Sequence, residues 1–266
     1  MVAYRGKDGT VLWQDPELEY CGPCLLHHDK IITNGYGGYA LNLLTGRRLT
    51  RKNPLTGLPV PWTYSRNYGC NTAIGSENLI TFRSAAAGYF DLENDGGTGN
   101  LGGFKSGCTS NLIPANGVLS APDYTRTCTC SYQNQASLAM IHMPEVEMWT
   151  FSDLKRGEGR VRRVGINFGA PGDRLAENGT LWIDYPSVGG PSPEVGVALE
   201  PTNVVLAGDE KQEIFAGRLF RHHASRMRSG HLNWVAASGL VDVTRVTIAL
   251  AADADDERPY TVRLYF

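Results

Sequence analysis

No apolar run in these 266 residues approaches the ~18 that a membrane-spanning helix needs, so the sequence offers no transmembrane segment. Neither sign of charge dominates. The 25 Lys and Arg oppose 27 Asp and Glu, and a net charge of −2 gives no electrostatic reason to expect nucleic acid. No cysteine follows Cys130. No nucleophile–base pair, metal-ligand cluster or phosphate loop stands out, and no carboxylate pair has the spacing of a glycosidase acid and base, which argues against hydrolase and transferase chemistry. No secretory leader is expected within this stretch, because Met1-Val-Ala-Tyr-Arg-Gly-Lys-Asp8 leads straight into a strand-like pattern. Glycine is what the chain has in quantity: 31 residues, suited to short strands joined by many turns.

Those turns recur. Ala3-Tyr-Arg-Gly-Lys-Asp-Gly9, Ala40-Leu-Asn-Leu-Leu-Thr-Gly46 and Phe90-Asp-Leu-Glu-Asn-Asp-Gly96 each set a glycine six residues after an apolar residue, and the glycines are 37 and then 50 residues apart. Apolar runs flank each copy: Val11-Leu-Trp13 follows the first, Lys30-Ile-Ile-Thr33 precedes the second, and Asn78-Leu-Ile-Thr-Phe-Arg83 precedes the third. Short antiparallel strands with one tight turn per unit are expected, at a period that belongs to repeat architectures. After the third copy, Gly96-Gly-Thr-Gly-Asn-Leu-Gly-Gly103 is read as a glycine-rich loop replacing the compact turn.

The turn pattern of an apolar residue, Asn or Asp, and then Thr-Gly or Asp-Gly resembles the repeat of quinoprotein-like (PQQ-like) β-propellers over about residues 1–150. The resemblance implies short four-stranded antiparallel blades. Three copies do not close a ring, and a blade at residue 1 lacks a neighbour on its N-terminal side. The chain is therefore expected to be a fragment carrying the last blades of a longer propeller. The family's quinone-dependent dehydrogenases carry adjacent cysteines near the cofactor, whereas this chain has Cys128-Thr-Cys130. No cofactor is expected, and PQQ stays open only through the family, without a recognisable site.

All six cysteines, Cys21, Cys24, Cys70, Cys108, Cys128 and Cys130, fall in this first part. An even number in one region suits disulfides in an oxidising compartment, with fifteen pairings possible for six thiols. Cys21-Gly-Pro-Cys24 has thioredoxin letters, but the residues after it read as strand instead of the helix that activates such a thiol. Cys21, Cys24, His27 and His28 are the alternative, a zinc site, yet their spacing is not that of a zinc knuckle, and disulfides are the preferred reading. The polar stretch 108–135 holds Tyr124, Arg126, Tyr132, Gln133 and Asn134, which are candidates for lining the propeller mouth; a stapled loop over the last blade is the preferred alternative.

The chain divides near residue 153. Residues 1–152 are assigned to incomplete propeller blades, 153–160 to a charged linker and 161–266 to a second all-β unit. Ile166-Asn-Phe-Gly169, Trp234-Val-Ala-Ala-Ser-Gly239 and the alternating Tyr260-Thr-Val-Arg-Leu-Tyr-Phe266 resemble malectin-like carbohydrate-binding domains. That family has a galactose-binding-like jelly-roll sandwich, and the segment is expected to be cut short at its C-terminus. If it binds sugar, Trp182, Tyr185 and Trp234 supply rings, and Asn167, Asp184 and Asn233 supply hydroxyl partners; buried core positions are the competing reading for both tryptophans. The whole reads as an all-β, non-catalytic, extracytoplasmic recognition protein. Its expected partner is a glycan or cell-surface polysaccharide, with protein partners reached through the propeller. A fragment of a PQQ-dependent dehydrogenase and a propeller scaffold for protein assembly are the alternatives.

Overall fold

One side chain builds the recurring turn. Asn42 Oδ1 accepts from the N–H groups of Leu44 (3.1 Å) and Thr45 (3.0 Å) and from the Thr45 hydroxyl (3.0 Å), while Gly46 N–H donates to the Asn42 carbonyl at 2.9 Å. Gly46 sits at φ 67°, where a side chain is strained, and a Cβ there would lie 2.6 Å from the Trp13 indole packed across the turn. Asp91 repeats the device with one more residue in the loop. Its carboxylate accepts from Asn94 N–H (3.1 Å), and Gly96 N–H reaches its carbonyl (3.3 Å). A further copy, not among the three read from the sequence, is Asn53-Pro-Leu-Thr-Gly57. Asn53 Oδ1 accepts from Leu55 N–H at 2.9 Å, and Gly57 N–H closes on the Asn53 carbonyl at 2.8 Å.

The computed structural model describes residues 1–35, 37–101, 112–122, 137–143, 147–188, 190–200, 205–206, 218–228, 230, 232–251 and 257–265. It is all-β, with 44% strand and 3% helix in several small sheets, none of which closes on itself among the described residues. The chain forms two compact units, one of Met1–Lys52 and Pro59–Met143, the other of Asn53–Leu58 and Pro144–Phe266.

In unit 1, β1 (Val2–Tyr4) and β2 (Val11–Gln14) form a hairpin. Next come β3 (Cys21–His27), β4 (Lys30–Asn34), β5 (Gly37–Asn42), the ribbon β6 (Thr50–Lys52) and β7 (Pro59–Pro61), and β8 (Thr63–Ser65). An antiparallel sheet runs β3-β4-β5-β8. A second, from β9 (Ile74–Gly75), β10 (Leu79–Ser84), β11 (Ala86–Asp91) and β12 (Gly97–Asn100), follows the same plan. Lys30 faces Asn42 in the first and Leu79 faces Asp91 in the second, so both strands of the pair shift by 49 residues. The glycine spacing of 50 is this period plus the one extra turn residue. A three-stranded sheet of β13 (Ile113–Ala115), β14 (Val118–Ala121) and β15 (Leu138–Ile141) completes the unit as described.

The apolar runs ahead of each turn supply the core. Ile32, Ile80, Phe82 and Phe90 are fully buried, and Tyr64 stacks on Phe82 with centroids 5.9 Å apart. Each such side chain contributes about 1.5–3 kcal/mol relative to exposure. The expected loop at 96–103 is corrected in part: Gly97–Asn100 is strand β12, paired along β11. Glycine is required there because Tyr89 lies across the strand, and a Cβ on Gly99 would sit 2.4 Å from its ring.

Unit 2 begins with β16 (Gly165–Phe168), β17 (Arg174–Leu175) and β18 (Leu181–Tyr185), ordered β16-β18-β17 with β16 and β18 parallel. Strand β19 (Gly196–Glu200) pairs with the last strand, β23 (Arg245–Ala249). Between them in sequence, β20 (Val205–Leu206), β21 (Arg218–Arg221) and β22 (Ser238–Val241) form a sheet, and the single turn of helix α1 (Asn233–Ala236) precedes β22. Leu181 and Ile183 bury one face of β18 against Leu55, Val161 and Val195. The alternating 260–265 segment departs from the strand expected of it. It joins no sheet, and Val262 and Leu264 are exposed, because no described strand takes its backbone groups.

Candidate functional site

The other face of β18 carries Trp182 and Asp184. Trp182 lies flat over its parallel partner because that partner is glycine; a Cβ on Gly165 would fall 2.1 Å from the indole. Its ring meets Trp234 of α1 edge-on at 5.8 Å and Tyr265 at 5.6 Å, and Trp234 meets Trp149 in the same way at 5.8 Å. Arg174, directly across from Trp182 on β17, places its guanidinium 4.7 Å from the Trp234 centroid and 6.0 Å from that of Trp149. A cation over an indole face in this partly dry setting contributes about 1 kcal/mol. Glu147 holds the outer edge. It accepts from Trp149 Nε1–H at 3.1 Å and from the Ala224 N–H.

Trp182 Nε1, a donor, and Oδ1 of Asn233, the residue before Trp234 on α1, an acceptor, are buried without a partner. Farther along β18, Asp184 Oδ1 is a third. An unmade hydrogen bond at a buried group costs about 1–3 kcal/mol, so each of these atoms holds unused hydrogen-bonding capacity.

Beyond the rings lies a carboxylate pair. Asp173 is fully buried, and its Oδ1 accepts from the Ser192 hydroxyl (2.8 Å) and Asp184 N–H (3.1 Å), its Oδ2 from Ser152 N–H (3.2 Å). Its backbone exchanges hydrogen bonds of 2.9 and 2.7 Å with Thr150. Burial pushes the Asp173 carboxyl up to about 7, against the lowering effect of those donors, and the neighbouring Asp184 adds to the rise. Burial also raises Asp184, whose Oδ2 accepts from Val188 N–H at 3.0 Å. This pair pins three segments together and is closed to solvent.

The six residues singled out from the sequence divide among these environments. Trp182 and Trp234 meet at the cluster, each only 8% exposed, and Asn233 precedes Trp234 on α1. Asn167 is buried, donating to the Trp234 carbonyl at 3.4 Å and accepting from the Ser238 hydroxyl at 3.0 Å. Asp184 belongs to the carboxylate pair. Tyr185 falls on the opposite face of β18, where its ring meets Phe168 at 6.0 Å and its hydroxyl donates to Val197 carbonyl at 3.2 Å. Trp149, Arg174 and Tyr265 had not been assigned to the site. Only the pairing of Arg174 opposite Trp182 could have drawn that arginine in.

In unit 1, Cys21-Gly-Pro-Cys24 lies on β3 away from any helix start, and burial raises the Cys24 thiol, the reverse of redox activation. Cys21, Cys24 and Cys70 carry free thiols. Cys108, Cys128 and Cys130, and the mouth candidates Tyr124, Arg126, Tyr132, Gln133 and Asn134, lie outside the described residues. Among the described residues no helix is long and apolar enough to cross a membrane. No protein-family model, no curated protein and no solved structure matches the chain.

Proposed function

We propose that the chain is a non-catalytic, extracytoplasmic recognition protein whose unit 2, read as a malectin-like jelly-roll module, binds glycan at the Trp149–Trp182–Trp234 cluster. The observation that carries this reading is the pairing of aromatic rings with an unpartnered buried donor, Trp182 Nε1, and an unpartnered acceptor, Asn233 Oδ1. A sugar hydroxyl both donates and accepts, so its chemistry suits either atom. The partly exposed rings of Trp149 and Tyr265 are the surfaces left for the apolar face of the sugar, since Trp234 is covered by Arg174. Unit 1 is read as consecutive propeller blades, supported by two four-stranded antiparallel sheets of identical strand order, shifted by 49 residues and each bearing the Asx-started glycine turn. It serves as a scaffold without a quinone.

The test is a glycan array with the full chain, followed by calorimetric titration of any hit against Asn233→Ala and Trp149→Ala. Saturable binding lost by at least about tenfold in both variants is the expected result, each removing contacts worth about 1–3 kcal/mol. Binding indifferent to both would remove the site from the account.

A further inference from the structure

The corner where β3 turns into β4 carries two histidines whose rings meet. In a regular strand His27 and His28 would point to opposite faces. His28 instead has φ 51°, uncommon for a residue with a side chain, and its imidazole swings against that of His27, with centroids 4.4 Å apart and planes at 75°. Glu77, in the turn leading into β10, closes the third side with Oε1 at 3.0 Å from His28 Nε2. One ligand atom from each of the three residues lies within 4.8 Å of the others.

The hydrogen bonding selects a tautomer. His27 Nε2 is 2.8 Å from the Glu77 carbonyl, which can only accept, so the ring proton sits on Nε2 and Nδ1 keeps its lone pair. His27 Nδ1 is buried and has no partner. A ligating histidine is commonly held in just this way, one nitrogen donating to a backbone carbonyl and the other left for the ion. The site also links two repeats. Positions 28 and 77 are equivalent under the 49-residue shift, and β3 and β9 are the edge strands of their sheets. These edges are close: a Cβ on Gly75 would lie 3.6 Å from Leu25.

We propose that His27, His28 and Glu77 form a divalent transition-metal site of the zinc class that clasps β3 to β9. Two imidazoles and a carboxylate are a recurrent zinc set with a fourth position left for water, and imidazole donors select zinc, copper or nickel over magnesium and calcium. The sequence had grouped these histidines with Cys21 and Cys24. The thiols are not part of the three-residue group, and Glu77 stands in their place.

The experiment titrates the chelator-treated full chain with Zn2+ by calorimetry and with Co2+ by absorption. His28→Ala and Glu77→Gln change exposed side chains, so they are expected to fold, and circular dichroism checks that they do. A double variant, Cys21→Ser with Cys24→Ser, separates the alternatives. The expected result is one equivalent of Zn2+, weakened about tenfold or more in each of His28→Ala and Glu77→Gln and unchanged in the double serine variant, since losing a ligand costs at least as much as losing a group that merely supports one. The Co2+ spectrum should lack a sulfur charge-transfer band. Absence of saturable binding, binding retained in both His28→Ala and Glu77→Gln, or binding lost in the serine variant would overturn the proposal.

Discussion

Asp173 should make unit 2 more stable in mild acid than at neutral pH. Its carboxyl is fully buried and raised from 3.8 to about 7, with burial the largest cause. The unfolded chain releases this proton near pH 4 while the folded chain keeps it until near pH 7. Within that window the folded state therefore binds more protons, and stability falls as pH rises. A shift of roughly three units corresponds to about 4 kcal/mol, fully present below the unfolded pKa and lost by the time the folded carboxyl ionises. Burial raises Asp184 as well, which pushes in the same direction. Urea unfolding of the wild type and Asp173→Asn, followed at intervals from pH 4 to pH 8, reads out the Asp173–Asp184 pair, because the amide cannot ionise and carboxylates outside the pair cancel in the difference. The wild-type advantage over the variant should shrink steadily with rising pH. An advantage that is flat, or that grows toward neutral pH, would refute the assignment of a buried, proton-retaining carboxyl.

Two further substitutions test how the framework is held. Gly165→Ala sets a Cβ 2.1 Å from the Trp182 indole and should cost about 3 kcal/mol by thermal unfolding, with altered near-ultraviolet dichroism as the tryptophan is displaced; a silent change would contradict the stacking described. Asn42→Ala removes the acceptor of three hydrogen bonds in the Asn42–Gly46 turn and should destabilise unit 1 by about 1–2 kcal/mol, whereas Asn42→Asp should be nearly neutral.

Much of unit 1 was legible because its signals are local. Apolar runs such as Lys30-Ile-Ile-Thr33 and the Asn42-x-x-Thr-Gly46 turn specify strand and reversal within a dozen residues, and β4, β5 and Gly46 lie where that chemistry puts them. The Asn53 turn carries the same letters and was passed over because proline and a short ribbon obscure the strands around it. Strand β12 was hidden by its composition: glycine has low strand propensity, and only the ring of Tyr89 explains its presence. The segment 260–265 shows the converse, since alternation without a neighbour does not make a sheet. In unit 2 the tryptophans were found, but the ring contact of Trp149 with Trp234 spans 85 positions and their shared arginine lies on a two-residue strand; no local pattern reports either. The Asp173–Asp184 pair was half seen, because burial and not spacing gives it its character.

The most direct test of glycan recognition is equilibrium binding of the full chain to a panel of pyranose polysaccharides, measured alongside Asn233→Ala. Saturable binding of at least one polysaccharide, weakened about tenfold or more in the variant, is the predicted result. No binding across the panel by a chain shown to be folded would contradict the account.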